Sequence, residues 1–331
     1  MEPLPRGANF IRAKFLWEIG LDVAGDPTIP YGGNRDMQIV IGSGGQDHFI
    51  PSLKLGTGSA IIAHEVMKGT AGGGFDMCFV NPSALLTQAY RGTGLFTKPL
   101  PVRVVCSYPS IDRFVMVVHP KTGLKTVRDI KEKQYPLKLS VREDPTHSTF
   151  PLIEQIFATE GFSLKDVLSW GGELVTTGAP MGPKRMDRIK DGTVDAVMDE
   201  AIVVWLADAL KAGYTPLDLD PKSFGELERI GWRKKVLTPK EYSGLKRDYI
   251  CADFSGWPVY CRESMDEKVV YDVCEAIAAR TELKEMPWAM TGENPNGDFT
   301  GLKQLFSDTE ATPIDVPLHP GVERFLKDKR L

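Results

Sequence analysis

Polar and titratable side chains follow several strand-like runs of this chain, at points where they could hold a small anion. The turn Thr146–His147–Ser148–Thr149 brings three hydroxyls and an imidazole to the predicted start of a helix. The free N–H groups of a helix start favour negative charge, so this turn is a candidate anion site. N-capping by Ser148 or Thr149 explains the same residues without a ligand, and the two roles can coexist.

Two adjacent carboxylates, Asp199 and Glu200, lie at the junction between the strand-like run Val194–Met198 and a predicted helix, Glu200–Lys211. A carboxylate pair could indicate acid/base catalysis, although neighbours in sequence rarely point at one substrate. Capping of the predicted helix by a carboxylate is the simpler interpretation, because the helix start favours negative charge.

Arg113 flanks the apolar strand-like run FVMVV and follows Tyr108 and Ser110. A guanidinium group at a crossover between two sheets could hold a carboxylate through two parallel hydrogen bonds. A solvated surface arginine is the equally open alternative.

Composition excludes several function classes. The formal net charge is -4, without the strongly basic face typical of nucleic-acid binding. Apolar runs are too short to cross a bilayer, and residues 1–10 lack the apolar segment of a secretory signal. We therefore expect either a protein that stays inside the cell or a trimmed chain. There is no Walker A, G-x-G-x-x-G, G-x-S-x-G or CxxC motif, so we predict no cofactor, no metal and no enzyme.

Short β-branched runs alternate with amphipathic helical runs, which predicts an α/β fold with mainly parallel sheets. Among these elements we predict helices over residues 10–21 and Pro183–Lys190, the second closed by Gly192, and a strand over Glu173–Thr176. Ser264 and Glu267 form an S-x-x-E pattern, which predicts a capping box. Loops of small and polar residues follow four of the strand-like runs. These four runs are Met37–Ile41, Phe75–Val80, Leu137–Val141 and Val194–Met198. Ligands of open α/β sheets bind outside the carboxyl ends of the strands. Because the arrangement recurs in both halves of the chain, we expect a ligand cleft between two lobes.

Four segments resemble the TAXI-type solute-binding proteins of TRAP transporters, within the NMT1-like group. They are FDMCFVNPSALLTQAYRGTGLF, PVRVVCSYPSIDRFVMVVHPKTGLKTVRDIKEK, MDRIKDGTVDAVMDEA and PLHPGVERF. The last segment is the most specific match, and the resemblance covers residues 37–330 with gaps. The chain departs from the family in residues 1–20, which begin with a predicted helix in place of the family's first strand and Gly-rich loop.

The resemblance implies a periplasmic-binding-protein fold of type II, an α/β clamshell that closes on a small organic anion without chemistry. Lobe I would comprise residues 1–120 and 254–331, and lobe II residues 121–253. The hinge would lie near residues 111–120 and 252–258. The implied ligand contacts come from both lobes and the crossover: Asn81, Ser83, Tyr108, Arg113, Thr146, His147, Ser148, Thr149 and Glu200.

The resemblance also implies delivery of the ligand to TRAP membrane subunits and a periplasmic location, while the missing signal leaves a cytoplasmic location open. Two other functions remain open from the sequence. One is an enzyme, a hydrolase or lyase, that uses His147 with Asp199 or Glu200. The other is a module that has lost its ligand and binds a protein partner.

Overall fold

The computed structural model describes residues 59–69, 76–142, 149–178, 180, 182–279 and 300–331. Helices and strands alternate along them, which confirms the predicted α/β class. The helices are α1 (Ser59–Lys68), α2 (Ser83–Arg91), α3 (Arg128–Glu132), α4 (Thr149–Thr159), α5 (Leu164–Ser169), α6 (Pro183–Lys190), α7 (Leu206–Lys211), α8 (Pro221–Ile230), α9 (Glu267–Ala279) and α10 (Pro320–Lys329). The strands are β1 (Met77–Phe79), β2 (Val102–Tyr108), β3 (Arg113–Val118), β4 (Lys138–Val141), β5 (Glu173–Thr176), β6 (Ala196–Asp199), β7 (Thr215–Pro216), β8 (Lys234–Leu237), β9 (Tyr249–Asp253) and β10 (Trp257–Arg262).

Several predictions fall outside the described residues. They are the helix predicted in residues 10–21, the strand Met37–Ile41, and the candidate ligand contacts Thr146, His147 and Ser148.

The chain divides into two compact units, which are described separately. Unit 1 ends at Ile111 and resumes at Ser255, and unit 2 comprises Asp112–Phe254. The crossings between the units therefore lie at residues 111–112 and 254–255. A hinge at these crossings stays a prediction.

Unit 1 contains an antiparallel sheet in the order β1-β10-β2. Its inner face packs against α9 and α10 in one apolar core. Gly321 lies so close to α9 that an added Cβ would be 2.5 Å from the carbonyl oxygen of Glu267. The buried His319 caps α10, because its Nδ1 accepts a hydrogen bond from the Gly321 N–H at 3.1 Å. The segment PLHPGVERF thus has a structural role in docking the last helix.

Unit 2 contains a larger sheet in the order β5-β4-β6-β3-β9-β8. Strands β5, β4 and β6 pair in parallel, as predicted, and helices connect them. The other pairs are antiparallel, including β3 with β6 and β3 with β9. The chain enters unit 2 on β3 and leaves it on β9, so these two neighbours run in opposite directions. The parallel part of the sheet is the part that positions the candidate site.

The predicted helix Glu200–Lys211 is wrong in its first half. After β6 ends at Asp199, a 3-10 turn occupies Ile202–Val204, and the α-helix begins only at Leu206. Ala201 has a φ of 54°, in the left-handed region that a non-glycine residue rarely adopts. Two β-branched valines precede Trp205 in this stretch, and such side chains disfavour an α-helix.

The predicted capping box of Ser264 and Glu267 is also wrong, because α9 begins at Glu267. The cap is Asp266, whose Oδ1 accepts hydrogen bonds from Lys268 N at 2.8 Å and Val269 N at 3.2 Å. We expect Asp266→Ala to lower the free energy of unfolding by about 1 kcal/mol, because two helix N–H groups lose their acceptor. Urea unfolding followed by circular dichroism measures this loss. Ser264→Ala is the matched control, and an equal loss in both variants would contradict the assignment.

Candidate functional site

The carboxyl ends of three parallel strands bring polar residues into one row in unit 2. Leu139 of β4 pairs in register with Ala196 of β6, so three positions further on Arg142 lies beside Asp199. The pairing of β4 with β5 places Thr177 on the other side of Arg142 in the same way. The row lies where ligands of open α/β sheets bind.

Four side chains at this edge form what we call the arginine–carboxylate cluster: Arg142, Arg185, Asp199 and Glu200. Arg142 Nε donates to Asp199 Oδ1 at 3.1 Å and Oδ2 at 2.8 Å, and its Nη2 contacts Glu200 Oε1. Arg185 Nη1 contacts Asp199 Oδ2, and its Nε donates to Thr177 Oγ1 at 2.9 Å. Two guanidinium groups thus share one carboxylate and stand side by side.

Arg185 is the deepest member of the cluster, with 0% of its surface exposed. It lies in the first turn of α6, which begins at Pro183 as predicted. Its Nη2 has no hydrogen-bond partner among the described residues. Buried donors are nearly always paired in folded proteins, so this N–H group is a candidate donor to a ligand oxygen.

The carboxylates of the cluster differ in their pKa. Burial favours the protonated form of Asp199, but Arg142 and Arg185 outweigh it, so the pKa of Asp199 lies below its ordinary value. Burial raises the pKa of Glu200 to about 8, an increase that Arg142 opposes and that Asp199 and Asp112 reinforce. Asp199 is therefore the permanent anion of the cluster, and Glu200 is the carboxyl group that exchanges a proton near neutral pH.

Asp112 holds the backbone that carries Glu200. Its Oδ2 accepts from Ala201 N at 2.7 Å, and its Oδ1 accepts from Ile202 N at 3.3 Å and Arg113 N at 2.7 Å. Burial raises the pKa of Asp112 to about 6, although these hydrogen bonds oppose the rise. Capping at this junction was predicted for the Asp199–Glu200 pair. The structure divides it: Asp199 Oδ1 accepts from Glu200 N at 2.9 Å, and Asp112 accepts from the next two amides. Asp112 thereby stabilises the strained φ of Ala201 and so fixes the position of Glu200.

The predicted contacts of unit 2 divide between the cluster and other places. Glu200 belongs to the cluster, and Thr149 is the buried first residue of α4. Arg113 has 4% of its surface exposed and lies 3.8 Å from carboxylate oxygens of Glu241 and Asp253. The surface-arginine interpretation of Arg113 is therefore wrong, while its contact with a ligand stays a prediction.

The predicted contacts of unit 1 are all buried or nearly so. Asn81 Nδ2 donates to the carbonyl oxygen of Gly256 at 2.9 Å, and Ser83 is the first residue of α2. Tyr108 has no exposed surface and lies in the apolar core, with its ring 5.5 Å from that of Phe79. As ligand contacts these residues stay predictions.

Three residues of the site were not predicted from the sequence: Arg142, Arg185 and Asp112. Arg142 directly follows the predicted strand Leu137–Val141, and its position at a strand end is a signal for a site residue. Arg185 belongs to a strongly charged helix segment, PKRMDRIK, in which a solvated arginine is the usual interpretation. Asp112 gave no local signal, because the amides that it caps lie ninety residues along the chain.

The part of the chain that the structure describes holds no group of three His, Cys, Asp or Glu side chains placed to bind a metal ion. None of its helices is both long and apolar enough to cross a bilayer.

No family model matches the chain. Among solved structures, it is similar to a periplasmic transporter at 12% identity, over 98% of this chain and 89% of that one, with a TM-score of 0.39. A TctC solute-binding protein from Polaromonas is 13% identical, with 86% and 83% covered and a TM-score of 0.41. The periplasmic nitrate-binding protein NrtA from Synechocystis PCC 6803 is 13% identical, with 68% and 53% covered and a TM-score of 0.29.

Proposed function

We propose that the chain is a solute-binding protein that captures a small organic anion by its carboxylate at the arginine–carboxylate cluster and performs no chemistry on it. The observation that carries this proposal is the buried Nη2 of Arg185, which has no partner among the described residues. A guanidinium group offers parallel N–H donors that match the two oxygens of a carboxylate. Arg142 shares the carboxylate of Asp199 with Arg185, so a second guanidinium group is available at the same place.

The position of the cluster agrees with this role. It lies at the carboxyl ends of β4, β5 and β6, and α4, the next helix along the chain after β4, begins at Thr149. An anion there gains from the arginines and from the N–H groups of a helix start. The turn before Thr149, predicted from the sequence to contact the ligand, remains part of the proposal.

The resemblance of the chain to TAXI-type proteins supports a place in TRAP-type transport or sensing. In this proposal the protein works in the periplasm and hands its ligand to TRAP membrane subunits. The role in TRAP-type transport or sensing is proposed from the segments that resemble the family. The binding of an anion is proposed from the arginine–carboxylate cluster.

Thermal unfolding against a panel of carboxylates tests the proposal. A ligand that binds only the folded state, at 100 times its Kd, adds about 2.7 kcal/mol of stability and raises the midpoint. We expect hits among carboxylic acids and none among the corresponding amides. We also expect Arg142→Met to abolish the shift and Arg188→Met, a control arginine on α6, to retain it. A panel without hits, or hits that Arg142→Met leaves unchanged, would contradict the proposal.

A second candidate function, an enzyme, is favoured by one observation. The pKa of Glu200, raised to about 8 by burial, is suited to a general acid near neutral pH. Asp199 is held by two arginines and does not share that property. Recovery of the bound compound separates the two functions: a binding protein returns it unchanged, and an enzyme returns a product.

A further inference from the structure

Glu200 contacts Arg142 within the cluster that we propose as the site of a ligand carboxylate. Its Oε1 contacts Nη2 of Arg142, while Nε of the same arginine is held by Asp199. Glu200 is the more exposed of the two carboxylates, with 18% of its side chain accessible against 1% for Asp199. It can therefore leave Arg142 at a smaller cost than Asp199 can.

The protonation state of Glu200 decides the net charge of the cluster. Arg142 and Arg185 bring two positive charges, and Asp199 offsets one of them. When Glu200 is ionised, it offsets the second. When Glu200 is protonated, one positive charge stays unbalanced beside the open donor of Arg185. That arrangement matches one carboxylate of a ligand.

We infer that Glu200 is a competing anion built into the site, which yields Arg142 to a ligand carboxylate only in its protonated form. This inference rests on the proposed function. It makes binding dependent on a proton, since every ligand bound keeps Glu200 neutral. It also names the ligand class at this site. A simple carboxylate fits, whereas an amino acid would need the ionised Glu200 to offset its ammonium group.

The groups that face Glu200 come from four elements, and they define the usable pH range. They are Arg142 after β4, Arg185 on α6, Asp199 at the end of β6, and Asp112 before β3, with Arg113 beside it. Burial raises the pKa of Asp112 only to about 6, so Asp112 is ionised above neutral pH. Between about pH 7 and pH 9, Glu200 is the member of this set that titrates, with its pKa near 8.

The experiment is isothermal titration calorimetry of the full chain with acetate, benzoate and L-alanine, at about pH 7 and about pH 9. If the ionised Glu200 competes with the ligand and its pKa is about 8, ligand binding is about tenfold weaker one pH unit above that value than with Glu200 protonated. We expect that loss for acetate and benzoate in the wild type and none in Glu200→Gln. Titrations in buffers of different ionisation enthalpy measure the number of protons taken up with each ligand. We expect this number to approach one near pH 9 in the wild type and zero in Glu200→Gln. Glu160→Gln, which removes another ion-paired carboxylate of unit 2, is the control and should behave as the wild type does.

Each outcome has one meaning. A pH dependence of benzoate or acetate binding that survives in Glu200→Gln overturns the inference. Weaker ligand binding by Glu200→Gln than by the wild type at pH 7 would make Glu200 a direct ligand contact and also overturns the inference. Tighter binding of L-alanine than of acetate and benzoate overturns it as well. If none of the probes binds either protein at either pH, the proposed function itself fails. Binding that is tight and independent of pH in both proteins leaves the proposed function standing and removes only the role of Glu200.

Discussion

Replacement of the buried Arg185 by methionine should lower the free energy of unfolding of unit 2 by about 3–5 kcal/mol. Loss of Arg185 leaves the buried Asp199 with Arg142 as its remaining cation, and removing one partner is the costly way to break a buried ion pair. Thr177 Oγ1 also loses the hydrogen bond that Arg185 Nε donates to it at 2.9 Å. Amide hydrogen exchange of β4, β5 and β6 measures the loss where it occurs.

The pH dependence of this variant follows from Asp199. In the wild type the pKa of Asp199 is lowered, so its contribution to stability is present above its unfolded value of 3.8 and is lost as the pH falls through the folded value. In Arg185→Met one of the two cations that lower this pKa is gone. The difference between variant and wild type should therefore be largest at neutral pH and shrink in acid.

Two companion variants decide whether the charge is the cause. Arg188→Met removes a partly buried arginine from the same helix and should change the unfolding free energy by less than about 1 kcal/mol. The double variant Arg185→Met with Asp199→Asn should recover roughly half of the loss, because the buried carboxylate charge is removed together with its partner. A double variant as unstable as the single one would show that packing, and not charge, explains the effect.

Replacement of Trp205 by alanine should cost about 3–5 kcal/mol in the same measurement. The indole has 1% of its surface exposed and belongs to the apolar core of unit 2, so its removal leaves a large cavity. Its Nε1 also donates to the carbonyl oxygen of Glu200 at 2.9 Å, so the substitution frees the backbone of the cluster. We expect Trp205→Ala to weaken carboxylate binding as well as stability.

The phenylalanine variant separates these two contributions. Trp205→Phe keeps most of the packing and loses the hydrogen bond, for an expected cost of about 1–2 kcal/mol. Leu168→Ala, on an exposed position of α5, is the control and should change little. If Trp205→Phe were as destabilising as Trp205→Ala, the hydrogen bond to Glu200 would have to carry the effect.

The sequence by itself determined the α/β class and several elements of the fold. Strand β5 and helix α6 have the predicted bounds, because apolar alternation, Pro183 and the glycine at position 192 are local signals. It also determined that polar residues follow the strands, which brought Glu200 and Thr149 into consideration. The first half of the helix predicted after Asp199 failed, because the left-handed Ala201 is held by Asp112, a residue distant in the sequence.

Only the tertiary structure decided which polar residues form the site. Arg142 and Asp199 are 57 positions apart, and they meet because β4 and β6 are parallel neighbours in one register. Arg185 looks like a surface residue in the sequence, but its buried side chain contacts Thr177 and Asp199 at the ends of the parallel strands. Local propensities determine where helices and strands form. Strand order and register determine which side chains meet across a sheet, and no local pattern encodes that register.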